Sequence, residues 1–185
     1  MMLLSYSLIL ILYFPCIVYS NNNCIKKYYS SDIVPQIIDQ APEQLLQINF
    51  DGHEISCGEE TPKPLTVNSP MLSFEAEDNS LNTLIMIDPD IPNPENPTLA
   101  NFRHWVIVNI PGNRVQDGDV ISEYVNPMPP KGSNPHRYIL LVYRQSELES
   151  SEMLQDKKTN FSLDEYIRKH NIDNPFAGNF FYVQY

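Results

Sequence analysis

Leu81-Asn82-Thr83-Leu84-Ile85-Met86-Ile87-Asp88-Pro89-Asp90-Ile91-Pro92 is the stretch on which the fold turns. Residues 81–87 are apolar enough for a strand covered on both faces, and Asp88-Pro89-Asp90 halts it with turn chemistry. The turn formers continue to Ala100, so residues 88–100 read as a long structured loop. Outward from it the pattern repeats. Residues 105–110 form a second buried strand closed by Pro111-Gly112, and residues 138–143 a third. Earlier in the chain Leu46, Ile48 and Phe50 alternate, Asp51-Gly52 supplies a two-residue turn, and Ile55 and Cys57 are expected to continue the apolar face on the return. Residues 176–185 are again β-prone. One helix is expected after the N-terminal segment, over 163–170, with Ser162 as N-cap, Asp164 and Glu165 in its first turn and Arg168, Lys169 and His170 in its last. The fold class is therefore mainly β.

Composition agrees. Sixteen prolines against six glycines in 185 residues favour short extended segments over long helices. The formal charge of −11 repels phosphate backbones and anionic membranes, so nucleic acid and broad membrane docking are excluded as partners. Any anion that binds must enter a local pocket.

Residues 1–20 follow a different rule. No charge precedes Lys26, residues 8–12 are continuously apolar, and Val18-Tyr19-Ser20 ends the run before Asn21-Asn22-Asn23. A signal peptide over 1–20, cleaved after Ser20, is expected, and a retained signal anchor is the alternative. Residues 21–185 then form one domain, secreted and expected to be a monomer. Cys16 leaves with the leader, so Cys24 and Cys57 remain as an even pair. An oxidising compartment favours their disulfide, which would close a loop of about 34 residues, and two separate thiols are the other reading. Asn160-Phe161-Ser162 is a sequon, open to glycosylation in a secretory chain.

Chemistry collects at the loop–strand junctions. Asp88 and Asp90 close one strand, Arg103 and His104 open the next, and Lys131 to Arg137 precede a third. Were those strands neighbours, two carboxylates, two imidazoles and two guanidiniums would gather at one rim, and the turns of Pro129-Pro130-Lys131-Gly132-Ser133 would aim amides at an anion. Each group also has a plainer role: Asp before Pro as a turn residue, His beside Trp as a core residue, Arg137 as the partner of a carboxylate.

The segment Asp88-Pro89-Asp90-Ile91-Pro92, followed by Phe102-Arg103-His104-Trp105-Val106-Ile107-Val108-Asn109-Ile110-Pro111-Gly112, strongly resembles the first signature of the phosphatidylethanolamine-binding protein family. That family includes the Raf kinase inhibitor protein and the plant flowering-time regulators. Tyr124-Val125-Asn126-Pro127-Met128-Pro129-Pro130-Lys131-Gly132-Ser133, then Pro135-His136-Arg137-Tyr138, resembles its second signature, and Pro175-Phe176-Ala177-Gly178-Asn179-Phe180-Phe181 its closing segment. The likeness runs in the family's order from about Val34 onward.

The resemblance implies a β-sandwich with a few peripheral short helices, and a small anion pocket rimmed by Asp88, His104, His136 and Tyr138. Imidazole N–H groups and a phenol suit a phosphate ester, and Asp88 would orient a histidine or receive an ammonium. Asp90, Arg137, Phe102, Pro129 and Gly132 are expected to brace the loops. The sequence departs from the family at Phe102, where tryptophan is usual, and at Met128 and Asn134, where glycine is usual. It also lacks the further helix that many animal members carry after the closing segment, as plant members do.

Three functions are carried forward. The first is a secreted, non-catalytic binding protein for phosphatidylethanolamine-type head groups or other phosphate-bearing ligands. The second is an extracellular modulator of proteins, such as a serine protease inhibitor. The third, a hydrolase or metal site built from His104, His136 and Asp88, is disfavoured, because the sequence has no nucleophile elbow and no closely spaced metal motif. No cofactor and no metal are expected.

Overall fold

The computed structural model describes residues 16–155 and 157–185, with backbone alone for 16–21. Of the leader expected over 1–20, residues 1–15 lie outside the described residues. Ten strands follow in chain order: β1 (Gln44–Leu45), β2 (Gln47–Phe50), β3 (His53–Glu54), β4 (Glu59–Glu60), β5 (Met71–Ser73), β6 (Leu81–Asp88), β7 (Phe102–Pro111), β8 (Asp119–Ser122), β9 (His136–Gln145) and β10 (Ala177–Val183). Helices α1 (Cys16–Ser30) and α2 (Leu163–Lys169) flank them. The larger sheet runs β1-β10-β9-β6-β7-β8, with β4 also on β10, and the smaller runs β3-β2-β5.

Why the middles of β6 and β9 are apolar on both faces follows from their alternation. On β9, Ile139, Leu141 and Tyr143 face one core, while Tyr138, Leu140 and Val142 face the other. On β6, Ile85 and Ile87 join the first core and Leu84 and Met86 the second. The second core is closed by the small sheet through Leu46, Ile48, Phe50 and Ile55. The first is closed by α1, α2 and the chain between β9 and α2, through Cys24, Tyr28, Phe161 and Tyr166. The result is the expected sandwich with peripheral helices, and a sheet covered twice permits no polar face on β6 or β9.

Local chemistry explains the elements in turn. The β2–β3 hairpin pairs Phe50 with His53 across Asp51 (φ 49°) and Gly52 (φ 95°), the mirror-image turn that Asp-Gly favours. Asn49 Oδ1 accepts the Gly52 N–H at 2.7 Å. Ile55 continues the hairpin's apolar face as expected, but Cys57 does not: it belongs to the opposite core. Three residues past the β3 strand the chain has crossed toward α1, and the alternation no longer holds. In α2 the Ser162 hydroxyl accepts the Glu165 N–H at 3.2 Å, as its N-cap role requires.

Helix α1 was not legible in the sequence. Asn21-Asn22-Asn23 is a poor helix former and reads as a helix boundary, yet it lies inside α1. Tertiary contacts hold it instead. Cys24 and Tyr28, one turn apart, are both buried, and Tyr28 meets Phe180 edge-on at 5.1 Å. Cys24 is bonded to Cys57, with Cα atoms 5.4 Å apart, and Lys27 Nζ donates to the Cys57 carbonyl at 2.7 Å. Among the described residues no helix is long and apolar enough to cross a membrane.

The disulfide joins residues 33 apart, a loop for which chain entropy gives roughly 3–4 kcal/mol. Reduction is therefore expected to lower unfolding stability by about that amount, read as the shift between urea titrations with and without reductant. Coincident curves would contradict it.

Candidate functional site

Strand order brings the predicted groups together. β6 lies between β7 and β9, so Asp88 at the end of β6 has His104 on one side and His136 and Tyr138 on the other. Asp88, His136 and Tyr138 share the phase of Met86 and Leu140 and point to the second core. His104 reaches that side by an irregularity. The β6–β7 register pairs Met86 with Trp105 and Ile87 with Arg103, which leaves His104 as the extra residue of a β-bulge. The bulge lets His104 join Trp105 on the second-core side and sets its ring edge-on to Tyr138 at 5.1 Å.

Each side chain is then held by a specific partner. His136 Nδ1 lies 2.8 Å from Asp88 Oδ2, and Asp88 Oδ1 accepts the Asp90 N–H at 2.7 Å. One carboxylate thus closes the Asp88-Pro89-Asp90 turn and orients the imidazole. His104 Nδ1 lies 2.6 Å from the Val125 carbonyl, and Val125 N–H donates back to the His104 carbonyl at 2.8 Å. A carbonyl only accepts, so His104 Nδ1 carries the proton and Nε2 is left for another partner. His136 Nε2 and the Tyr138 hydroxyl are fully buried, with no hydrogen-bond partner among the described residues. Phe181 stacks on Tyr138 at 5.6 Å, and Phe102 tilts against His104 at 4.7 Å.

Electrostatics follow from burial. Burial pushes the His104 imidazole below its ordinary value, and nearby Lys158 and His136 add to the fall against the Val125 carbonyl and the Asp88 carboxylate. Burial, reinforced by Asp88, pushes the Tyr138 phenol far up, so it keeps its proton and can donate.

The remaining residues have other places. Neither guanidinium faces the site, so the six-group rim that strand adjacency alone suggested is not formed. Arg103 lies on the opposite face beyond the bulge, buried, with Nε donating to Ser122 Oγ at 3.1 Å and its guanidinium over Phe161. Arg137, one residue out of phase with His136, donates through Nη2 to Asp90 Oδ1 (2.6 Å) and through Nε to Oδ2 (2.9 Å). Its Nη1 donates to the Ser31 carbonyl at 2.7 Å, tying the loop after β6 to the chain after α1. The turn before β9 does not offer all its amides. Ser133 N–H donates to the Pro130 carbonyl at 3.1 Å across Gly132, whose φ of 86° suits the third position of a type II turn. Pro129 is buried, and Asn134 Nδ2 donates to Glu95 Oε1 at 2.5 Å, joining the two loops. Cys24 and Cys57 belong to the first core, and Asn160 is exposed.

Sequence reasoning passed over two partners, the Val125 carbonyl and Phe181. The second was accessible from alternation on β10; the first, a main-chain atom, leaves no sequence signal. Among the described residues no group of three or more His, Cys, Asp and Glu is disposed to hold a metal ion.

The sequence profile described as phosphatidylethanolamine-binding protein matches residues 47–181. A Drosophila melanogaster protein named as a candidate odorant-binding protein, A5, is 39% identical over 158 residues, covering 81% of this chain and 75% of its own. A 26 kDa secreted antigen of Toxocara canis is 32% identical over 164 residues, covering 85% of this chain and 63% of that protein. A carboxypeptidase Y inhibitor, solved in complex with its cognate proteinase, superposes with a TM-score of 0.77 at 22% identity over 89% of this chain and 96% of the inhibitor.

Two outcomes test this geometry. Arg137→Ala strands the buried Asp90 carboxylate and is expected to cost about 3 kcal/mol of folding stability, measured by urea unfolding; a change within experimental error would remove the bracing role. The depressed His104 value means that the unfolded chain takes up a proton at higher pH than the folded one. That contribution to stability is present above about pH 6.5 and is lost as pH falls toward the folded value. The slope of melting temperature against pH between about 7 and 5.5 should be shallower in His104→Gln than in the wild type, and equal slopes would contradict the assignment.

Proposed function

The chain belongs to the phosphatidylethanolamine-binding protein family, and from that premise we propose that it is an exported, non-catalytic binding protein for phosphate esters of amphiphilic molecules, phosphatidylethanolamine among them. The observation that carries this reading is the pair of buried polar atoms without partners, His136 Nε2 and the Tyr138 hydroxyl, on the face that the bulge gives to His104. Buried polar groups are ordinarily satisfied, so a ligand oxygen at this point would complete the site.

The proton positions define how an anion binds. Both imidazoles already commit Nδ1, His136 to Asp88 and His104 to Val125. A neutral ring therefore offers a lone pair at Nε2, and only Tyr138 donates without a change of protonation. A phosphate dianion needs a proton on one ring, while a monoanion brings its own P–O–H to donate. Binding is accordingly coupled to proton uptake and is stronger at lower pH. With Asp88 engaged by His136, an ammonium group on the ligand finds its acceptor in whichever Nε2 stays unprotonated.

The rim adds apolar surface. Phe102 lies against His104, and Met128, whose backbone lies beside the Tyr138 phenol, leaves its side chain 64% exposed. These two departures from the family's usual residues favour a ligand with an apolar body next to its phosphate. Export draws on the 1–20 leader, the Cys24–Cys57 disulfide and a relative named as a secreted antigen. A second reading, inhibition of a serine-type protease, draws on the likeness to the carboxypeptidase Y inhibitor, which is a likeness of fold.

Calorimetric titration with phosphoethanolamine and with a short-chain phosphatidylethanolamine tests the site. The expected results are tighter binding of both at about pH 6 than at about pH 8, with proton uptake seen as a dependence on buffer ionisation enthalpy. Tyr138→Phe should weaken binding about tenfold, the loss of one hydrogen bond of roughly 1–1.5 kcal/mol, and His136→Ala should abolish it. Met128→Gly should narrow the gap between the two ligands. A folded His136→Ala with wild-type affinity sinks the proposal, and inhibition across a protease panel that survives this variant would favour the second reading.

A further inference from the structure

The Asn160-Phe161-Ser162 segment is used by the fold in a way that the anion site does not require. Asn160 stands at φ 57°, a left-handed conformation that Asn tolerates better than most residues, and it is exposed. Its backbone N–H donates to the Leu99 carbonyl at 3.1 Å, while its side-chain amide makes no hydrogen bond among the described residues. Phe161 is buried against Tyr166, its N–H donates to the Asn101 carbonyl at 2.9 Å, and its own carbonyl accepts from Asn101 Nδ2 at 3.2 Å. Ser162 caps α2 through its hydroxyl. Asn160 and Ser162 are both exposed, but Phe161 between them is buried and the Ser162 hydroxyl is engaged at a helix terminus.

We propose that Asn160 carries an N-linked glycan and that the glycan is attached before this region folds; the proposal rests on the export argued above. In the transfer, Asn160 Nδ2 attacks the anomeric carbon of a lipid-diphosphate-linked oligosaccharide. The new N–C bond forms as the C–O bond to phosphate breaks, the amide proton passes to a base of the transferase, and the lipid diphosphate departs. A transferase reading Asn-X-Ser must reach the hydroxyl as well as the amide. In the folded chain that hydroxyl accepts the Glu165 N–H and Phe161 is packed away, so the folded protein is a poor acceptor. Once attached, the glycan extends from the turn over half-exposed Leu99 and a cleft of about 290 Å³ lined by Gln36, Ile37, Ala100 and Asn101. None of Asp88, His104, His136 and Tyr138 lines that cleft, so the sugar covers Leu99 and a largely polar cleft without closing the anion site.

The full chain is expressed in a eukaryotic secretory host, alongside a version whose residues 1–20 are replaced by a leader of known cleavage. Intact mass is compared before and after a peptide N-glycan amidase. The expected result in both is loss of one oligosaccharide, leaving aspartate at position 160. Asn160→Asp, which keeps a residue tolerant of the left-handed turn, should show no shift, and Ser162→Thr should keep it. Folded, unmodified protein offered to the transferase and its sugar donor should gain no glycan, whereas reduced and unfolded protein should. An unmodified product from the replaced-leader chain overturns the glycan proposal whatever the native leader does. Retention of the native chain alone, with a glycosylated replaced-leader product, overturns export and leaves Asn160 as an acceptor. Modification of the folded protein at the same rate as the unfolded one overturns the order of events.

Discussion

Residues 84–87 of β6 and 138–143 of β9 alternate between two cores, because the large sheet is covered on both faces, and the site depends on that constraint. A period of two fixes Asp88, His136 and Tyr138 on the same side as Leu84, Met86 and Leu140, with no loop needed to place them. β7 would send His104 the other way. The extra residue at the bulge brings His104 across and simultaneously sends Arg103 to the opposite core, where its charge is spent on Ser122 and the Phe161 ring. One irregularity in one strand therefore decides that the site holds two imidazoles and no guanidinium. Such devices recur beside functional sites because they re-aim side chains at little cost to the remaining ladder.

The consequence is a site whose polarity is set by proton count rather than by fixed positive charge. A guanidinium in place of His104 would hold phosphate at any pH. On the function proposed above, two imidazoles with committed Nδ1 atoms and a protonated phenol would instead make phosphate affinity a function of the medium. In an acidic chain with a formal charge of −11, this also keeps the local field from being strongly positive when no ligand is present.

Much of this was legible before any coordinates. The apolar runs at 81–87, 105–110 and 138–143 gave the three central strands, and the Asp51-Gly52 pair gave the hairpin, since each depends on nearest-neighbour chemistry. The strands proved longer than the runs. β7 and β9 extend outward to Phe102 and His136, because ladder pairing with β6 and β10 carries the backbone through residues that composition assigns to loops. Helix α1 was hidden because its stability lies in contacts with β10 and Cys57, thirty or more residues away. The bulge was hidden too. Parity counting on Arg103-His104-Trp105 places Arg103 beside Trp105, and only the register with Met86 and Ile87 corrects it. The Asp90–Arg137 contact was expected from the resemblance, but its extension to the Ser31 carbonyl joins segments that no local pattern relates.

The bond between Cys24 and Cys57 bears on the N-terminus that the proposed cleavage would leave. A cut after Ser20 would take the first turns of α1 and leave residues 21–30 as its helical remnant. Helical segments shorter than about 12–15 residues rarely persist in water, because each must fix several torsions before its first internal bond is gained. Here a covalent anchor sits in the remnant's first turn, with Lys27 and Tyr28 docked one turn further on. The nucleation step that an isolated peptide must make by chance is thus made by the crosslink. Under reducing conditions the same ten residues would fray from their free end, carrying Ser31 and its hold on Arg137 with them, so the oxidation state of the compartment would reach the loop beside the proposed anion site.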